Sequence, residues 1–278
     1  LVLRDNYVQS QAITVAQTQG ARLLSGAARM IRTLERSGRL NRALEFLPDD
    51  QAIADREAEE RGLTRPEIAV VLAYAKLDLY DALLDSDVPE DPYLSNDLAS
   101  YMPRPLRKDF AGAIRGHRLR REIVATYIAN SLVNRAGPTF INEVAEESGF
   151  AAGEIARAYT VTRDAFGLRE VWNAIESLDN RVSAAAQTRM LLANGKLVRR
   201  ATLWFLRNLP QPLDIAATIA DYAPGIRLLT EKLDTMLAAF DAKELARRAE
   251  TQAADGVADD IARRIAGFDP LAAACDIV

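Results

Sequence analysis

The stretch from Gly62 to Asp85 constrains this chain most. Thr64 stands three residues before Glu67, Pro66 lies between them, and Ile68, Ala69, Val70, Val71, Leu72, Ala73, Tyr74 and Ala75 follow. Thr and Glu at that spacing form a capping box, each side chain taking up a backbone amide that the first helical turn leaves without a partner. Proline early in a helix agrees with that start. The pattern predicts a helix from Arg65 to about Leu84 that is apolar around most of its circumference, hence buried on most sides, and such a helix must be surrounded by others. Only 14 glycines and 11 prolines interrupt the 278 residues, and Ala, Leu, Arg and Glu, which lose little rotamer freedom in a helix, are abundant. No segment alternates with a strand's period. The expectation is an all-α fold of about a dozen helices without a significant sheet.

Apolar positions from Tyr7 to Leu34 recur at threes and fours, giving one long helix or two interrupted near Gly20, with Gly38 as a stop. Pro48 and Asp49 open a charged helix through Arg61. The stretch from Pro89 to Pro105 is rich in helix breakers and marks a crossover and a possible sub-boundary near residues 89–105 within a region spanning 1–278. Further helices are expected over residues 106–114, 118–135, 138–148, 154–166, 168–178, 183–208, 214–220, 224–240, 241–254 and 257–265. Residues 241–278 are set apart as a tail, and the final turns, with Asp255, Asp259, Arg263 and Arg264 and few large apolar side chains, read as a solvated end that frays. No fixed repeat of solenoid length is present.

A 49% apolar and 27% charged composition is that of a folded protein of one large or two ordinary domains. No apolar run is long enough to span a membrane, so the chain is expected to be soluble. The single cysteine, Cys275, cannot form an internal disulfide, which fits a reducing cytoplasm. Net charge is only −4, from 35 basic and 39 acidic residues, and it attracts neither nucleic acid nor anionic lipid. The chain opens on Leu1 rather than methionine and reads as a fragment.

Chemistry-bearing constellations are sparse. No two glycines are separated by a single residue, as a dinucleotide turn requires, and Gly195-Lys196 lacks the hydroxyl of a phosphate loop. His117, the only histidine, sits between Arg115 and Arg118 at a helix start and reads as a capping or packing residue rather than a general base. Glu146-Glu147 and Asp259-Asp260 are adjacent pairs that point around different sides of a helix. Ala145, Gly149 and Ile155 fit helix-turn-helix spacing, but Glu143, Glu146, Glu147 and Glu154 oppose only Arg157 and Arg163, and such a surface repels phosphate. Arg115, Arg118, Arg120 and Arg121 could hold an anionic effector or an acidic neighbour; the simpler reading is a solvated face paired to Glu122 and the Asp85 and Asp87 region. Lys196, Arg199 and Arg200 form a second basic face. Trp172, Trp204 and Phe205 stand at core spacing. No catalytic, cofactor-binding or metal residue is nominated.

Several ordered segments carry a family resemblance. Leu63 through Lys76 with Leu79, Tyr80 and Asp81, and Gly116 through Ala125 to Asn130, resemble the large bacterial NAD-dependent glutamate dehydrogenases beyond their catalytic domain. Asp5-Asn6-Tyr7 and Gln9-Ser10-Gln11-Ala12 resemble the exit from that domain. Ala165-Phe166-Gly167-Leu168, Trp172, Ile175 to Asp179 and Arg200 to Arg207 continue the likeness. Pro138 departs from the pattern, where an aliphatic residue is expected, and from about Asp241 little of it remains. The resemblance implies an enzyme that oxidatively deaminates L-glutamate to 2-oxoglutarate and ammonia with NAD as hydride acceptor. It places the catalytic lysine and the Rossmann domain upstream, so no cofactor is expected in this chain. It further implies a helical C-terminal region that buttresses the catalytic domain of the same polypeptide, takes part in a homo-oligomer and transmits effector binding. Two other readings stay open: an independent scaffold binding a protein partner through its Arg118 or Trp204 face, and a stand-alone helical enzyme.

Overall fold

The structure is a computed structural model that describes residues 2–276. Among them sixteen α-helices and three short 3-10 turns occur and no strand. The all-α expectation holds. The chain divides into two compact units, residues 1–156 and 157–278, and the division falls inside α10 (Ala152–Ala165).

In the first unit, α1 (Val2–Thr18) and α2 (Ala21–Arg36) are separate helices. They break at Gly20, whose φ of 54° is the left-handed conformation that favours glycine. α3 (Asp50–Ala58) starts at Asp49, whose side chain accepts from the Ala52 amide. α4 (Arg65–Leu84) carries the expected capping box. The Glu67 carboxylate takes the Thr64 amide at 2.7 Å and is held by both Arg56 nitrogens at 2.7 and 2.9 Å. Burial pushes the Glu67 carboxyl up, but Arg56 and Thr64 outweigh it and the pKa falls. Ile68, Val71, Leu72, Leu79 and Leu83 on α4 are all 2% exposed or less, so the apolar helix is indeed a core element. Each such side chain contributes roughly 1.5–3 kcal/mol by leaving water.

The breaker-rich stretch folds as 3-10 turns at Val88–Glu90 and Pro92–Leu94, then α5 (Ser95–Tyr101), α6 (Arg104–Asp109) and α7 (Ala111–Arg115). α8 (Arg120–Ala136) follows and packs along α4, α1 and α5. α9 (Phe140–Ser148) lies against α2, where a Cβ on Gly26 would meet Glu143 at 2.9 Å and Thr139 at 3.2 Å.

The second unit contains α11 (Leu168–Glu176), the 25-residue α12 (Ala184–Asn208), α13 (Ile215–Met236), α14 (Ala239–Ala254), α15 (Asp259–Ala266) and α16 (Phe268–Leu271). α12 is in contact with α11, α15 and α16, and α14 packs along α15. Asn194 of α12 accepts the indole N–H of the buried Trp172 at 2.8 Å.

Two expectations are corrected here. Pro224 does not separate two helices; it lies within α13, which runs through it. Ile215, Thr218 and Ile226 are buried on both sides of the proline and share one face at 3.6 residues per turn, so packing holds a common axis despite the lost hydrogen bond. The end of the chain is not a solvated tail. Val257, Ala262, Ile265, Ala266, Phe268, Leu271 and Cys275 are all buried. The apolar residues there are few, but spacings of three and four gather most of them on one side, and charges take the other. Burial pushes the Cys275 thiol up to about 12.

Candidate functional site

His117 caps locally: its Nδ1 accepts the Leu119 amide at 3.1 Å in the turn before α8. The four arginines around it separate by role. Arg121 pairs with the Glu90 carboxylate and donates to the Leu84 carbonyl at 2.7 Å, satisfying a C-terminal carbonyl of α4 and complementing that end's negative dipole. The expected pairing of the whole cluster to Glu122, Asp85 and Asp87 is therefore not what forms. Arg115, Arg118 and Arg120 are exposed and make no ion pair among the described residues.

The helix-turn-helix spacing is real, with Gly149 left-handed at φ 78°, but the second helix cannot enter a groove. Ile155, Ala156, Ala158, Tyr159, Thr160, Val161 and Thr162 on α10 are all fully buried. Gly195 and Lys196 lie inside α12 rather than at a phosphate-binding turn. Glu146 pairs with Arg29 at 3.1 Å, and Asp259 and Asp260 are exposed at the start of α15. Arg200 reaches the Asp269 carbonyl at 3.3 Å. Trp172 and Phe205 are core residues, and Trp204 packs edge-on against Phe205 and Tyr222 with centroids 5.4 and 5.6 Å away. Among the described residues no three His, Cys, Asp or Glu side chains gather as a metal would need.

What sequence reasoning missed is a cleft of about 700 Å³ in the second unit, between the α10–α11 elbow, α13 and α15. Its elbow is Gly167, left-handed at φ 59°, where a Cβ would meet Arg264 Nη2 at 2.9 Å. Arg264 donates to the Phe166 and Gly167 carbonyls at 3.3 and 3.0 Å. Burial pushes its pKa down and the Glu170 charge opposes that shift. Leu233, Leu245 and Leu271 supply an apolar wall, while Glu170, Asp260 and Arg227 supply charge. Asp164 at the edge is already committed. Burial pushes its carboxyl up, but bonds from Arg163 at 2.9 and 2.7 Å and from Arg169 at 2.8 Å bring it down to about 2. The lining contains carboxylates, arginines, one threonine, Phe166 and aliphatic groups, with no histidine, lysine or cysteine. Such a cleft can hold a small polar ligand but presents no nucleophile beside a general base. The only sequence trace of it was Phe166-Gly167 and the paired Arg263-Arg264.

Residues 60–278 match the family described as glutamate dehydrogenase, C-terminal. The chain belongs to this family. The match runs through residues 241–278, where little of the likeness was expected. Three curated relatives are NAD-specific glutamate dehydrogenases. The protein from Pseudomonas aeruginosa is 41% identical over 98% of this chain and 17% of its own length. That from Halomonas elongata is 36% identical over 100% and 17%, and that from Mycobacterium tuberculosis 34% over 95% and 16%. The chain thus spans about one sixth of the relatives it matches and corresponds to their C-terminal region. Among the described residues of this glutamate dehydrogenase region, no helix is long and apolar enough to cross a membrane.

Proposed function

We propose that this chain is the non-catalytic helical C-terminal part of a cytoplasmic NAD-dependent glutamate dehydrogenase, which converts L-glutamate, NAD and water to 2-oxoglutarate, ammonia and NADH. In this reading it buttresses the catalytic domain of the same polypeptide, contributes to a homo-oligomer and transmits effector binding. The observation that carries the reading is the 41% identity across 98% of this chain to a protein of which the chain is only 17%. The cleft beside Arg264 supports it, since it offers binding groups without a reactive pair.

The test compares the full-length polypeptide with a version lacking residues 1–278. Glutamate-dependent NAD reduction by the full-length protein is expected, and the truncated protein is expected to lose thermal stability and assembly. A truncated enzyme that keeps its assembly, stability and regulation would sink the proposed role. Failure of the full-length protein to reduce NAD with glutamate would sink the assignment of the reaction.

A further inference from the structure

Two segments of the first unit carry opposite charge and uncovered apolar side chains. Residues 100–121 hold seven arginines and lysines and one aspartate, although the whole chain is net acidic. Arg107 is used internally on the Met102 and Ser100 carbonyls, both at 2.8 Å, and Arg121 on Glu90. Arg104, Lys108, Arg115, Arg118 and Arg120 are exposed and have no charged partner among the described residues. Between them stand Tyr101, Leu106, Phe110 and Leu119, exposed by 40–54%. α5, α6 and α7 pack on one another, which brings together the elements that carry Tyr101, Leu106, Lys108 and Arg115, and Arg118 and Leu119 follow in the turn before α8.

Residues 44–60 are the counterpart, with seven carboxylates and one arginine. Asp50 is taken by Arg32 and Arg42 and Glu59 by Arg61. Glu57 and Glu60 remain exposed and unpaired among the described residues. The same segment displays Leu44 at 74% and Phe46 at 89% exposure. Phe46 has φ 53°, a left-handed conformation that strains a residue with a Cβ. The loop holding it is not slack. Asn41 Oδ1 accepts the Ala43 and Leu44 amides at 3.1 and 3.2 Å, Tyr74 donates to Glu45 at 2.7 Å, and Leu47 behind it is buried. A fixed loop that holds phenylalanine out in strained backbone gains nothing within the chain.

We infer that the Leu44–Phe46 knob and the acidic segment that follows it dock on the 100–121 segment of a second copy of this chain. Charge complementarity selects the occupant, because one copy carries both halves, matched in charge and each with an apolar centre. Like placed on like would set basic surface against basic surface, so each knob must meet the other kind of surface. Six of the seven bases are arginines, and arginine with aromatic and aliphatic anchors is the composition of protein interfaces, where lysine is depleted. This inference rests on the proposed role in a homo-oligomer and specifies its contact.

The experiment places a photoreactive phenylalanine analogue at position 46 of the full-length protein, mixed with isotopically heavy copies lacking it. Irradiation followed by peptide mapping identifies what Phe46 touches. The expected adduct joins a light position 46 to heavy residues 100–121. Combining Arg115→Glu, Arg118→Glu and Arg120→Glu in the heavy copy is expected to cut its yield at least about tenfold, and Glu57→Lys with Glu60→Lys in the light copy to restore it. No adduct, an adduct within one chain, one to the rest of the polypeptide or one elsewhere on the second copy overturns the inference. So does a yield that ignores the charge reversals. Glutamate-dependent NAD reduction by the same preparations reports separately on the proposed reaction.

Discussion

At the scale of single residues, two half-buried ionisable groups show how burial and partners compete. Lys76 on α4 has a hydrogen bond to Gln9 at 3.2 Å. Burial pushes its ammonium down to about 8 and the Asp5 charge only partly opposes this. The unfolded chain therefore holds a proton between about pH 8 and 10.5 that the folded chain has released, and stability rises with pH across that window. Lys76→Met is expected to stabilise the protein at pH 7 by about 1–3 kcal/mol, with the gain fading as pH approaches 10.5; urea melts at the two pH values check it. Asp164 has the opposite sign. Its carboxyl, ordinarily near 3.8, sits at about 2 despite burial because Arg163 and Arg169 hold it charged, so its contribution is present above pH 4 and lost as pH falls toward 2. Asp164→Asn is expected to cost roughly 3–5 kcal/mol at neutral pH, since Arg163 is 1% exposed and would lose its charged partner. Acid unfolding of that variant should also be flatter between pH 4 and 2.

Helices show where sequence patterns suffice and where they do not. The start of α4 was fully legible, because a capping box and an apolar run are local facts about neighbouring residues. Thr64→Ala is expected to cost about 1 kcal/mol, read from thermal or urea melts. A break near Gly20 was one of two readings the sequence left open, and the reason for Gly62 was not legible. A Cβ on Gly62 would lie 2.8–2.9 Å from backbone atoms of Gly20, 42 residues earlier, so a tertiary contact explains the glycine. Gly62→Ala should therefore destabilise by about 1–3 kcal/mol, while Gly112→Ala, with open space around it, should not, which circular dichroism melts will separate. At α13 the local rule misled, since a proline in an exposed position is overridden by burial on both sides of it. The cleft was invisible for a related reason: Phe166 and Arg264 are 98 residues apart, and no spacing rule connects them.

For the molecule as a whole, the two compact units set the expectation for stability. α4 and α8 dominate the first, and in the second α14 packs along α15 while α12 contacts α11, α15 and α16. Leu72→Ala removes a side chain with no exposure and should cost about 2–5 kcal/mol. In hydrogen exchange the loss of protection is expected to fall on residues 1–156 and leave α12 largely as it was; equal loss in both would mean that they open as one.

The sequence by itself determined the helical class, most helix starts, the burial of α4 and the family, because capping, periodicity and ordered motifs are carried by residues close along the chain. It also determined that residues 44–60 and 100–121 bear opposite charge. Only the tertiary structure decided which of those charges are consumed internally, that Phe46 is left uncovered in strained backbone, that the last fifty residues contribute buried side chains, and that Arg264 closes onto the Gly167 elbow. Each of these depends on which distant segments share a surface, and side-chain packing settles that where local propensity cannot.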